Sequence, residues 1–204
     1  MGAGGRDVVW TPRSLYLTDF IHANLLEKLK MQTLIIYSTI DGQTLAICQK
    51  IKLFAEQAGE NVSLVTLEQA EALSLADFDK VLIGASIRYG KYRPELYQFV
   101  NRHHAVLDTK INGFFSVNVV ARKPLKNTPE TNPYMQKFLK LSLWQPQHLA
   151  VFAGKIDYPK YSFFDRTMIR FIMWMTKGPT DVNGTFEFTD WAKVDAFGTD
   201  FSHQ

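Results

Sequence analysis

The octapeptide YSTIDGQT, residues 37–44, gathers polar side chains at one point of the chain. It follows the apolar residues Leu34, Ile35 and Ile36, which are typical of a buried strand, and it precedes a segment with the apolar spacing of a helix. A turn from a strand into a helix exposes unpaired backbone N–H groups and the positive end of the helix dipole, and both favour a bound anion. The octapeptide therefore predicts either a phosphate site or a turn that only caps the helix.

The composition of this loop narrows the predicted ligand. Its hydroxyl and amide groups can donate hydrogen bonds, and its glycine lets a ligand approach the main chain. The candidate phosphate-binding residues are Ser38, Thr39, Asp41, Gly42, Gln43 and Thr44. Asp41 would repel a phosphate unless it points outward or caps the helix. The loop lacks the GK[ST] of triphosphate loops, and no GxGxxG follows a strand, so a monophosphate is favoured.

Two later loops, residues 86–93 and 118–130, combine basic with aromatic or apolar side chains. Their cations are Arg88, Lys91, Arg93, Arg122, Lys123 and Lys126, with no acidic residue between positions 86 and 94 or 118 and 129. Such loops would attract an anionic substrate and could also flank a flat aromatic ligand. The alternative is that these cations are solvated surface residues.

Apolar runs alternate with helical patterns from residue 32 onward. The predicted strands are residues 32–38, 61–67, 79–86, 111–119 and 148–154; the predicted helices are residues 44–59, 93–107, 133–143 and 189–201. This alternation predicts an α/β fold, a five-stranded parallel sheet with helices on both faces. In the order 2-1-3-4-5, the three loops would meet at the carboxyl ends of the strands, where such sheets bind ligands.

Residues 154–178 form an insertion after the fifth strand that a minimal domain of this kind does not need. A helix over residues 162–177 would place Arg166, Arg170 and Lys177 on one stripe and apolar residues on another, which are Phe164, Met168, Phe171, Ile172 and Met175. Met173 and Trp174 would widen the apolar surface. The segment predicts contact with an anionic membrane surface or a quinone; the alternative is that the stripe packs on the domain itself.

Composition sets the remaining limits. The 204 residues are 46% hydrophobic and 21% charged, which fits one α/β domain, residues 31–204. A net charge of +3 without a long basic run argues against nucleic acid as a partner. Cys48, the one cysteine, falls in a helical apolar pattern and fits a reducing compartment, and the histidines lack the spacing of a metal site. Residues 1–30 are interpreted as an N-terminal extension of unknown role.

Four segments carry a family resemblance: STIDGQT, VLIGASIRYGKY, FFSVNVVARKP and TNPYMQKFL. In this order and spacing they resemble the flavodoxin-like, quinone-dependent protoporphyrinogen IX oxidases (dehydrogenases) of bacterial haem biosynthesis, from about Met31 to Phe201. The resemblance implies noncovalent FMN with its phosphate in residues 38–44. It implies that the isoalloxazine ring is flanked by Ser86, Ile87, Arg88, Tyr89, Asn118, Val119, Val120, Ala121 and Arg122. No motif singles out a catalytic acid or base.

The function implied by the resemblance is an FMN-dependent, six-electron oxidation of protoporphyrinogen IX to protoporphyrin IX. Menaquinone or ubiquinone would accept the electrons, and Arg122 and Lys123 would contact the propionates of the substrate. The expected location is peripheral, at the cytoplasmic face of the inner membrane. The alternatives are a flavodoxin-type electron carrier and an NAD(P)H:quinone oxidoreductase. The sequence carries no signal for an oligomeric state.

Overall fold

Five parallel strands form the main sheet of the computed structural model, which describes residues 30–204. The strands are β1 Gln32–Ser38, β2 Asn61–Thr66, β3 Lys80–Ser86, β4 Ile111–Val117 and β5 His148–Phe152. Their order is β2-β1-β3-β4-β5, and every neighbouring pair is parallel, so the predicted topology is confirmed. The strand order reverses between β1 and β3, where the predicted loops also lie.

Helices cover both faces of this sheet, as predicted. They are α1 Gln43–Gln57, α2 Leu67–Ala70, α3 Pro94–Leu107, α4 Pro133–Leu141, α5 Phe163–Met175 and α6 Trp191–Ser202. The short α2 was not predicted, and Leu67 was wrongly assigned to the second strand. The hydroxyl of Thr66 accepts a hydrogen bond from the backbone of Gln69, whose side chain binds the backbone of Thr66 in return. This capping box ends β2 one residue early.

Alternate residues of the strands supply two separate cores. Leu34, Ile83 and Phe114 pack towards α3 and α4, whereas Ile35 and Phe115 pack towards α1 and α6. Cys48 belongs to the second core, where burial raises the pKa of its thiol well above the usual range. It is therefore a small core residue, as its place in the helical pattern predicts.

A buried ion pair lies at the end of the main sheet where its strands begin. Nζ of Lys80 lies 2.6 Å from Oε1 of Glu60 and donates to the carbonyl of Phe201 at 2.9 Å. Lys80 is fully buried, and its ammonium also lies over the ring of Phe201. These contacts anchor α6 at the end of the sheet that is opposite to the predicted ligand loops.

The predicted insertion contains more than a helix. Two three-residue strands, β6 Lys155–Asp157 and β7 Thr185–Glu187, pair antiparallel on either side of α5. Neither strand was predicted, because three residues are too few to show a periodicity. Ile156, Tyr158, Tyr161 and Met173 form a small core beneath this region. Within residues 30–204, no helix is long and apolar enough to cross a membrane.

The helix α5 lies within its predicted range, and one residue of its predicted apolar surface differs from prediction. Met173 was expected to widen the exposed apolar surface, but it is buried. Four of the five stripe residues, Phe164, Met168, Phe171 and Met175, are at least half exposed, and Ile172 is 37% exposed. Packing of the whole stripe on the domain, the alternative interpretation, is therefore wrong. The extension predicted over residues 1–30 lies, up to residue 29, outside the described residues.

Candidate functional site

The loop between β1 and α1 leaves the first turn of α1 without a side-chain cap. Gly42 occupies the N-cap position with φ of 85°, a left-handed conformation that suits glycine. The hydroxyl of Thr39 accepts from the N–H of Gly42 at 3.1 Å, and this bond closes the loop below the helix end. The backbone N–H groups at the start of α1 therefore remain available to a ligand. The interpretation of the loop as a well-capped turn is wrong.

Thr44, in the first turn of α1, is fully buried, and its hydroxyl oxygen has no hydrogen-bond partner. A buried polar atom left without a partner costs about 1–3 kcal/mol. Thr44 lines a cavity of about 40 Å³ together with Thr39, Ser86 and Gly154. A hydroxyl without a partner, beside uncapped helix amides, matches the donor set that a phosphate monoester requires.

Two predicted loop residues have other partners in the structure. The buried Ser38 uses its carbonyl to accept from the hydroxyl of Ser86 at 3.4 Å, which connects the ends of β1 and β3. The side-chain amide of Gln43 donates to Glu187 at 3.0 Å and to Thr189 at 2.9 Å. The side chain of Gln43 thus ties the loop to the segment after α5, and its backbone N–H belongs to the first turn of α1.

Asp41 forms an ion pair with Arg88, which offsets the negative charge that would repel a phosphate. Nη1 of Arg88 lies 2.8 Å and 2.7 Å from the two carboxylate oxygens of Asp41, and Nη2 lies 3.0 Å from the carboxylate of Asp165. Burial alone would lower the pKa of Arg88, but Asp41 and the hydroxyl of Tyr89 raise it above its ordinary value. The only carboxylate of the phosphate loop is thereby neutralised by the neighbouring loop.

Asp165 is held ionised by the same group of residues. A hydrogen bond from the hydroxyl of Tyr89, followed by the charge of Arg88, lowers the pKa of its carboxyl below the usual range. Asp165 stands in the first turn of α5, so this interaction fixes the amino-terminal end of that helix over the loops of the sheet.

A second cavity, of about 150 Å³, lies between the loops after β3 and β4 and the insertion. Its lining from the two predicted loops includes Ile87, Arg88, Tyr89, Asn118, Val119 and Val120. Its lining from the insertion includes Lys155, Ile156, Tyr161, Ile169, Ile172 and Met173. Mostly apolar walls with few polar groups suit a flat aromatic ring. We call this space the ring cavity.

Asn118 positions one wall of the ring cavity. Its Oδ1 accepts from the backbone N–H of Ala121 at 3.1 Å and from the amide of Asn132 at 3.2 Å, and its Nδ2 donates to Ser116 at 3.0 Å. These bonds hold residues 119–122 in a single 3-10 turn. Ala121 packs in the core between the sheet and helices α3 and α4, and the turn presents Val119 and Val120 to the cavity instead.

Arg122 does not line the ring cavity. Its guanidinium donates to the carbonyl of Val119 at 3.0 Å and to the carbonyl and hydroxyl of Thr176 at 2.8 Å and 3.0 Å. It lines a wider, open cavity of about 510 Å³ with Lys123, Thr176, Lys177 and Phe188. The predicted pair Arg122 and Lys123 is thus brought together, in what we call the cationic cavity.

Comparison with known proteins places the chain in a family. Residues 34–183 match the family model described as a flavodoxin domain. A curated relative from Leishmania major, named protoporphyrinogen IX dehydrogenase [quinone], is 45% identical over 170 residues, 83% of this chain and 74% of the relative. A relative of the same name from Escherichia coli K12 is 42% identical over 173 residues, 85% of this chain and 96% of the relative. The chain belongs to the protoporphyrinogen IX dehydrogenase [quinone] family of flavodoxin-domain proteins.

The fold of this family member is that of a flavodoxin. The solution structure of Megasphaera elsdenii flavodoxin superposes with a TM-score of 0.51 at 14% identity, over 84% of this chain and 99% of the flavodoxin. At that identity the match supports the fold, and the chemistry has to be argued from the site residues.

Several residues that shape the site of this family member were missed by sequence reasoning. They are Asn132, Lys155, Tyr161, Asp165, Thr176 and Lys177. The Asn-Pro before α4 was a visible helix-start signal, since Asn132 caps that helix with its side chain. The others approach the site only through the path of the insertion, for which the local sequence carries no signal.

Proposed function

We propose that this protein binds FMN and oxidises protoporphyrinogen IX to protoporphyrin IX, a six-electron reaction, with menaquinone or ubiquinone as acceptor. The observation that carries the proposal is the buried, unpartnered hydroxyl of Thr44 beside the uncapped start of α1, next to an apolar ring cavity. The names of the relatives at 42% to 45% identity support the substrate and the acceptor.

The phosphate of FMN would be held by the backbone amides at the start of α1 and by Thr44, and its ring by the walls of the ring cavity. When bound, FMN supplies a two-electron acceptor. The chain's own part is to hold the ring between the turn after Asn118 and α5, and to cover it with Ile169, Ile172 and Met173. These apolar side chains exclude water from the ring cavity.

The cationic cavity is proposed to receive the propionates of the substrate. Lys123 is half-buried and Lys177 is exposed, and both line this cavity. The guanidinium of Arg122 is already engaged by Thr176 and Val119, so Arg122 forms the wall that holds the cavity open. In this proposal Lys123 and Lys177 make the direct contacts with carboxylate.

The exposed face of α5 is proposed to bind an anionic membrane surface, at the cytoplasmic face of the inner membrane, where the quinone acceptor resides. Large apolar side chains on this face are between 50% and 83% exposed; they are Phe163, Phe164, Met168, Phe171, Trp174 and Met175. Arg170 and Lys177, both exposed, add positive charge around them, whereas Lys160 is paired with Asp157 at 3.0 Å. Apolar side chains beside basic ones are the features of an interfacial helix.

The reaction is tested by incubating FMN-loaded protein with protoporphyrinogen IX without oxygen, with and without a quinone. We expect porphyrin fluorescence to appear only in samples that contain the quinone in molar excess over the bound flavin. Quinone reduction that requires NAD(P)H would instead identify an NAD(P)H:quinone oxidoreductase. Electron transfer only to a partner protein would identify a flavodoxin-type carrier.

Replacement of Thr44 by Val tests the phosphate site. We expect FMN to bind about tenfold more weakly, because one hydrogen bond to a charged group is lost. Riboflavin, which lacks the phosphate, should bind as before, as measured by fluorescence titration. The free energy of unfolding of the flavin-free protein should not fall, because the hydroxyl has no partner there. Thr199→Val, on the exposed face of α6, is the control; equal losses for FMN and riboflavin would contradict the assignment.

Replacement of Lys123 and Lys177 together by Ala tests the propionate site. The KM for protoporphyrinogen should rise about tenfold while kcat stays within about twofold, because charge pairs that hold the substrate are removed without touching the flavin. Lys140→Ala, an exposed lysine on α4, should leave the KM unchanged. A KM in the double variant equal to that of the unaltered protein would refute the assignment.

Replacement of Phe164 and Trp174 together by Ser tests the membrane face. Co-sedimentation with phosphatidylglycerol vesicles should weaken about tenfold or more, since two large apolar side chains no longer enter the interface. FMN affinity should not change, because both residues are exposed. Leu53→Ser on α1, which is 53% exposed, is the control. Undiminished vesicle binding would show that this face does not contact lipid.

A further inference from the structure

One guanidinium, that of Arg88, joins three separate parts of the site. Asp41 comes from the phosphate loop, Arg88 from the loop after β3, and Asp165 from the first turn of α5. The shortest distances from the guanidinium nitrogens are 2.7 Å to Asp41 and 3.0 Å to Asp165. No shorter path of polar contacts links the phosphate loop to α5 among the described residues.

The surroundings of Arg88 strengthen these ion pairs. Its side chain is only 15% exposed, and its guanidinium lies 5.2 Å from the ring centre of Tyr89 and 5.1 Å from that of Tyr161. The carboxylates of Asp41 and Asp165 are 33% and 35% exposed, so these are partly buried pairs, which interact more strongly than pairs that are fully at the surface. Tyr89 has a positive φ of 49°, and its hydroxyl donates to the same Asp165.

We propose that Arg88 is a positioning residue that couples the phosphate loop to the closure of α5 over the ring cavity. A bound phosphate adds negative charge beside Asp41, and this charge favours the guanidinium in its present place. Arg88 in that place holds Asp165 in the first turn of α5, the helix whose later turns carry Ile169, Ile172 and Met173 over the cavity. The inference rests on the proposed binding of FMN but adds a role that the binding itself does not require.

The coupling predicts a particular response to Asp165→Asn. FMN should dissociate about five- to tenfold faster from this variant. This change in rate corresponds to the free energy of one partly buried ion pair that acts between two sites. The increase should be smaller for riboflavin, which has no phosphate. Stopped-flow recovery of flavin fluorescence measures both rates, and hydrogen exchange should become faster in residues 163–175 of the FMN-bound protein.

Matched variants separate this coupling from a general loosening of the fold. Asp195 of α6 forms an ion pair with Lys50 of α1, away from the loops around Arg88. Asp195→Asn removes this carboxylate and should leave the rate of FMN release unchanged. Tyr89→Phe removes the hydroxyl contacts to Asp165 and Arg88 but keeps the ion pair between those two residues, so it should accelerate FMN release less than Asp165→Asn does. Asp165→Glu, which restores the charge, should recover most of the slow release.

A double-mutant cycle decides whether Asp165 acts through Arg88. In an Arg88→Ala background, Asp165 has already lost its ion pair and keeps only its contact with Tyr89. Asp165→Asn should therefore accelerate FMN release less in that background than in the unaltered protein. Arg88→Lys serves if the alanine variant does not fold, since an ammonium cannot span both carboxylates. Fully multiplicative effects, or equal effects on FMN and riboflavin, would overturn the coupling. Failure of the unaltered protein to bind FMN would refute the proposed function, and the inference with it.

Discussion

Unpaired backbone amides at the start of α1 are the constraint around which the other parts of the site are arranged. A parallel sheet brings the carboxyl ends of β1, β3 and β4 to one edge, and the helix that follows β1 points its amino terminus to the same edge. Gly42 turns the chain without a side-chain cap, and the hydroxyl of Thr44 is buried beside it. Both features are unfavourable in an empty protein and favourable around an anion.

Charge balance explains why the neighbouring loops have their particular residues. A loop that binds a dianion cannot keep a free carboxylate, and Asp41 is compatible with it because Arg88 is within hydrogen-bond distance. This ion pair removes one of the cations that the sequence offered for an anionic substrate. Arg122 keeps its charge, but its guanidinium donors are used by the carbonyls of Val119 and Thr176 and by the hydroxyl of Thr176. The basic residues of the cationic cavity whose donors remain available to an anion are therefore Lys123 and Lys177.

The sequence was sufficient for the positions of the strands, the loops and α5, because these depend on periodicity, and the sheet order followed from the family resemblance. It was insufficient for the partners of long side chains. Gln43 could have faced a phosphate, but its amide reaches residues 187 and 189, about 145 positions later. Met173 was predicted to widen the apolar surface beyond the stripe, but it is buried because β6 and β7 pack beneath α5. Such contacts follow from the path of the chain and have no local signal.

The helix α5 is fixed at both ends by arginines from the two loops that were expected to bind the ring. Arg88 holds Asp165 in its first turn, and Arg122 holds Thr176 directly after its last residue. Between these two points one side of the helix lines the ring cavity, while Phe171 and Trp174 on another side remain exposed. The helix is thus held at its two ends, and by Met173 in the small core beneath it, and its outer apolar surface stays exposed. The same two contacts set how far the helix stands from the turn after Asn118, and therefore the width of the ring cavity between them.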